Sequence, residues 1–248
     1  MSPSRLAQIA IAAISLAPAA LAAQYSAGRE VTFTIRVENV STPKTLKLSN
    51  GSTAPAPTAP LLWTITDEGN PLFTPGQPDR DQGLERLAED GNPGVLADYI
   101  VQNLKSVVHS GVVTVPSGDK GPGPITPGKA FEFTISAAPG QRLTLAMMFG
   151  QSNDLFYAPG PDAIALFDAK GKPLTTDITS HLQLWDAGTE INEEPGLGPN
   201  QAPRQAAPNT GPAEHGKVML VKDQFHYPSV REVMRVSVKP SVATAAAK

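Results

Sequence analysis

Residues 31–37 read VTFTIRV, and their alternation restricts the chain more than any other feature. Val31, Phe33, Ile35 and Val37 fall on one side of an extended backbone, and Thr32, Thr34 and Arg36 on the other. That period of two is the signature of a half-buried strand. It returns at Phe131–Ser136, at Leu143, Leu145, Met147 and Phe149, and at Met234, Val236 and Val238 near the C-terminus. Val218–Val221 is a short continuous apolar run, compatible with a strand covered on both faces. Phe33 and Phe133 read as core anchors. With 25 prolines and 21 glycines in 248 residues, turns and long loops are favoured over long helices. The fold class this implies is all-β, an antiparallel β-sandwich.

Two stretches break the alternation. Gly83–Glu89 can form a short helix with Leu84, Leu87 and Ala88 on one side. Over Pro93–Val108, Leu96, Ile100, Leu104 and Val107 recur at helical spacing while Asp98, Gln102 and Lys105 face away. Asn92-Pro93 supplies a cap and first turn, and Gly111 a stop. One or two short helices therefore pack on the sheet or close one end of the sandwich. Ser49–Pro60, Ser117–Gly128 and Gly196–Pro212 read as loops. None of them separates two segments able to fold alone, so residues 27–240 are expected to form one domain. Ser241–Lys248 is a small-residue tail expected to be disordered.

Residues 1–23 have the layout of a secretory signal. One arginine, Arg5, precedes an apolar run from Leu6 to Leu21, which ends in small residues suited to cleavage after Ala22 or Ala23. The run is short for a membrane span, and no later segment is apolar enough to be one. The expected localisation is secreted or periplasmic. Cysteine is absent, which excludes disulfides, thiol nucleophiles, zinc–thiolate sites and a lipoprotein anchor. Twenty basic residues against twenty-three acidic ones give a net charge of −3, which does not suit a nucleic-acid partner. A chain of this length can bury its own core, and a monomer is expected.

Few catalytic constellations occur. His109, His181, His215 and His226 are scattered, with no H-E-x-x-H pair, no G-x-S-x-G elbow and no phosphate-binding glycine loop. The distinctive residues lie between Gln151 and Glu194. Asp154 follows the strand ending at Phe149, and Asp186 follows Leu182 and Leu184, which alternate like a strand end. If the two strands end on one edge, the two carboxylates converge. In Asp186-Ala187-Gly188-Thr189-Glu190 the acids are four apart around a glycine that can fold the loop back. Asp154, Asp186 and Glu190 would then offer three hard oxygens, a set suited to Ca2+ rather than zinc. From spacing alone, a solvated acidic loop outweighs this reading.

These segments resemble the N-terminal domain of the spondins, F-spondin and mindin, and especially its bacterial relatives. Ser152-Asn153-Asp154-Leu155 stands in place of the family's S-P-D-W motif, and Trp185-Asp186-Ala187-Gly188-Thr189-Glu190 in place of W-D-A-G-T-D. Asn153–Pro159, Asn192–Gly196 and Gln201–Gln205 also look like the bacterial pattern. The resemblance covers most of the chain after the signal and is weakest before Trp63. It implies a C2-like β-sandwich with one calcium at one end, and by position it makes Asp154, Asp186 and Glu190 the metal ligands. Glu190 stands where the family has aspartate, and Leu155 where it has tryptophan. Trp185 reads as a packing residue under the loop. The function this implies is an exported, calcium-binding, adhesion-type module for an extracellular protein, a glycan or an envelope surface, and not an enzyme. The alternative is a metal-dependent hydrolase working through the same acids.

Overall fold

The computed structural model describes residues 29–241. The expected signal, residues 1–23, and the expected disordered tail from residue 242 on lie outside the described residues. In chain order the strands and helices are β1 (Val31–Asn39), β2 (Leu46–Lys47), β3 (Thr53–Ala54), β4 (Thr58–Thr66), α1 (Leu84–Asp90), α2 (Gly94–Asn103) and β5 (Val107–Val113). There follow β6 (Ala130–Ala137), β7 (Arg142–Phe149), β8 (Leu155–Pro159), β9 (Ile164–Ala165), β10 (Thr176–Asp177), β11 (Leu182–Asp186), β12 (Met219–Leu220), α3 (Val230–Val233) and β13 (Met234–Pro240). One sheet has the order β10-β13-β1-β6, and a larger one β12-β11-β8-β7-β4-β5 with β9 beside β7. The strand pairs are antiparallel throughout both sheets. The protein is an all-β sandwich.

The alternation in β1 sets its register. Phe33 lies opposite Ile135 of β6, and Ile35 lies between Phe133 of β6 and Val238 of β13. A slip of one residue would turn this whole apolar row to solvent. Between the sheets, Phe33, Ile35, Val37 and Phe131 pack with Leu61, Ile65, Leu145, Met147 and Phe149 in one core. Phe133 is only half-buried, stacked on Trp63 with ring centroids 6.1 Å apart. A second core lies on the outer face of the large sheet. There Leu62, Ala146, Phe156 and Trp185 meet Leu84, Leu87, Leu96 and Ile100 of α1 and α2. Strand β7 is therefore buried on both faces, and its Thr144, Ala146 and Met148 are as inaccessible as its apolar row.

Besides the half-buried Phe133, the structure departs from the sequence expectations at three places. Helix α2 stops at Asn103, where Leu104 turns extended (φ −102°, ψ 92°) and the Asn103 amide bonds the Tyr99 carbonyl. Val107 begins a strand instead, because a β-branched run paired along β4 is better satisfied extended. Gly111 is consequently no helix stop. It lies opposite Trp63, and a Cβ there would come within 2.8 Å of the indole. Within Ser49–Pro60, expected as loop, β3 forms and β4 begins at Thr58. Finally, only Val218 of the Val218–Val221 run is buried, and Met219 and Leu220 form an exposed edge strand.

Tyr157 of β8 is fully buried in the inter-sheet core, and its hydroxyl has no hydrogen-bond partner. An unsatisfied buried hydroxyl costs more than its absence. Tyr157→Phe is therefore expected to gain about 1 kcal/mol, roughly 2–4 °C in a thermal melt for a domain of this size. A lower melting temperature would show that the hydroxyl has a partner after all.

Candidate metal site

The β7–β8 turn places Asp154 immediately before β8, and the antiparallel register sets Leu155 opposite Asp186, the last residue of β11. Neighbouring antiparallel strands thus bring the start of one and the end of the other to the same edge. The turn closes through Ser152, whose hydroxyl donates to the Phe149 carbonyl and accepts from the Leu155 N–H. It is held from outside by the following loop. Arg204 donates to Gln151, and the Glu193 N–H donates to the Asn153 side chain.

After β11 the chain folds back at Gly188, whose φ is 70°. Residues 188–191 then run beside residues 212–216: Ile191 N–H donates to the Pro212 carbonyl, Glu214 N–H to Thr189 and Gly216 N–H to Gly188. This second pairing delivers Glu214. One carboxylate oxygen each from Asp154, Asp186 and Glu214 lie within 4.8 Å of one another. Two oxygens bound to the same calcium, each 2.3–2.6 Å from it, are at most about 5 Å apart. The three acids are placed so that they could hold a metal ion.

Asp154 is fully buried. Its Oδ2 accepts from the Thr189 N–H (2.8 Å), the Thr189 hydroxyl (3.2 Å) and the Glu190 N–H (3.1 Å). Its Oδ1 is equally buried and has no donor. Asp186 Oδ1 accepts from Gly188 N–H and its Oδ2 from the Asn192 amide. Burial, followed by the charge of Asp186, raises the Asp154 carboxyl well above the usual carboxylate range. Burial also raises Asp186, and burial followed by the Asp186 charge raises Glu214. All three shifts share a sign, and burial is the largest cause of each.

Of the three acids singled out in the sequence, Asp154 and Asp186 come together and Glu190 does not join them. Gly188 does fold the loop back, but the Glu190 carboxylate is engaged by other donors. It accepts from Gly211 N–H (2.8 Å) and from the Asn153 amide (3.3 Å). Its backbone, not its side chain, serves the group, through the N–H given to Asp154. Glu190 instead lines a neighbouring cavity of about 440 Å3 with Asp79, Asp81 and Glu85, a second acidic group whose oxygens lie within 4.8 Å of one another. Glu89 of α1 is also buried near these acids, with its carboxyl raised to about 8, chiefly by burial. Trp185 packs under the loop as expected, edge-on to Phe73 with its indole N–H on the Ala158 carbonyl.

Sequence reasoning misses Glu214 because it follows a Pro- and Gly-rich loop with no periodicity of its own. One signal is available: it closely precedes an apolar run, as Asp154 does. Among the described residues no helix is long and apolar enough to cross a membrane. The chain matches no protein-family model, and no curated protein matches it.

Proposed function

We propose that the protein is an exported calcium-binding module of adhesion type, with Asp154, Asp186 and Glu214 as ligands to one ion. The observation that carries this reading is the fully buried Asp154 carboxylate, whose Oδ1 has no donor beside two further acids. A buried anion without a partner is costly, and a divalent cation between three carboxylates removes that cost. Hard oxygens alone suit calcium, which tolerates irregular geometry; zinc would want nitrogen or sulfur. The resemblance to the spondin N-terminal domain supports the same ion at the same two strand ends, and with it a secreted or periplasmic location. In this chain Glu190 acts as a support for Asp154, and Glu214 takes the third position.

A metal-dependent hydrolase is the second reading, favoured by one observation: Asp186, Glu214 and His215 line a common groove. The groove runs along an edge strand with exposed Met219 and Leu220, which suits a docking face better than a deep catalytic cleft.

A thermal melt in calcium or in chelator tests the proposal, repeated on Asp186→Ala. Calcium at 100-fold above its Kd adds about 2.7 kcal/mol to the native protein, roughly 5–10 °C here. The variant is expected to show no shift. An equal response in both proteins would remove these ligands.

A further inference from the structure

Asp186 and Glu214 face Asp154 on one side and, on the other, line a groove of about 550 Å3 along β12. An ion held by the three acids therefore borders that groove. Asp154 commits Oδ2 to three donors, and both Asp186 oxygens already carry one hydrogen bond. The arrangement favours about one oxygen from each acid, three in all, against the six to eight that calcium takes. Glu214 is exposed on the groove side, from which a ligand could reach the positions the three acids leave unfilled.

The same wall carries two lysines, Lys217 and Lys222, and between them Met219 and Leu220, 56% and 48% exposed. Lysines beside a divalent cation select a carboxylate. An exposed apolar pair on the outermost strand of a sheet selects an extended polypeptide, whose side chains can cover it. A uronic-acid glycan would meet the charge requirement and leave Met219 and Leu220 uncovered. We propose that the groove receives an acidic side chain from an extended segment of a partner polypeptide, whose carboxylate completes the coordination of the ion. This rests on the calcium reading above.

Europium luminescence separates the two claims. Lifetimes in H2O and D2O count the waters on Eu3+ bound in place of calcium. The Eu3+-loaded protein is expected to hold at least about two waters, given three protein oxygens. The count should fall by one or more on adding a capped pentapeptide, Val-Leu-Asp-Leu-Val, and stay constant with its Asn counterpart. Lys217→Met combined with Lys222→Met should weaken the peptide about tenfold and leave the peptide-free water count unchanged. A water count of zero, or no change with millimolar Asp peptide, would overturn the proposal and leave the calcium reading intact. A fall with oligogalacturonate but not with the peptide would also overturn it. If Asp186→Ala binds Eu3+ as tightly as the native protein, the calcium reading fails and the proposal falls with it.

Discussion

Asp154→Asn is expected to melt above the native protein in chelator and to ignore calcium. The amide oxygen can still accept from the Thr189 and Glu190 N–H groups, because those bonds converge on one oxygen of the native carboxylate. The amide nitrogen then occupies the place of Oδ1, which is buried without a donor in a residue grouped with the acids Asp186 and Glu214. A buried charge grouped with two further acids is exchanged for a neutral amide. The gain in chelator is about 1–3 kcal/mol, while the site loses a charged ligand that calcium requires. Asp154→Ala goes the opposite way. It takes the acceptor from the buried Glu190 N–H and the part-buried Thr189 N–H and should lose about 2–4 kcal/mol relative to native. A simple packing role for Asp154 would make both variants less stable, so an unstable Asp154→Asn that still responds to calcium contradicts the account.

Gly188→Ala is the second large effect, expected to cost about 3 kcal/mol or more. The φ of 70° alone disfavours alanine by about 1 kcal/mol. The added Cβ would also lie 2.5 Å from the Lys217 nitrogen and 2.8 Å from the Gly216 carbonyl carbon and the Lys217 carbonyl oxygen. All three are backbone atoms of Gly216 and Lys217, so the chain there must shift, which disturbs the nearby Glu214. Calcium affinity should fall along with stability. Gly118→Ala is the control, because Gly118 has φ 86° and a methyl group added there would meet nothing within 4 Å. It carries the backbone penalty alone, about 1 kcal/mol, and should leave calcium binding unchanged. If the two variants lose the same stability, the close approach at Gly188 does not hold the site together.

These two residues mark what can be read from the sequence and what cannot. Asp154 and Asp186 are legible because each lies at a strand end, and antiparallel neighbours must share an edge. Gly188 is legible as a fold-back position from its place between two acids. The side on which Glu190 emerges is not, because it depends on Gly211 and Asn153, which reach it from distant segments. Glu214 depends likewise on the pairing of 188–191 with 212–216, two irregular segments without periodicity. Strands β1, β6 and β13 declare themselves by alternation, since each has one face to solvent. The far end of α2 does not. Leu104 and Val107 continue a helical spacing in the sequence, and only pairing with β4 makes the extended form the better one. Val218–Val221 resembles an interior strand in composition, but its outermost place in the sheet leaves Met219 and Leu220 exposed.

The most direct measurement of the central claim is isothermal titration of calcium into chelator-stripped protein at neutral pH, in parallel with Asp154→Asn and Glu190→Gln. One ion per chain is expected for the native protein and none for Asp154→Asn. Glu190→Gln should still bind one ion, because that side chain faces Gly211 and Asn153 and not the group of three acids. Calcium binding to Asp154→Asn at native affinity would contradict the account.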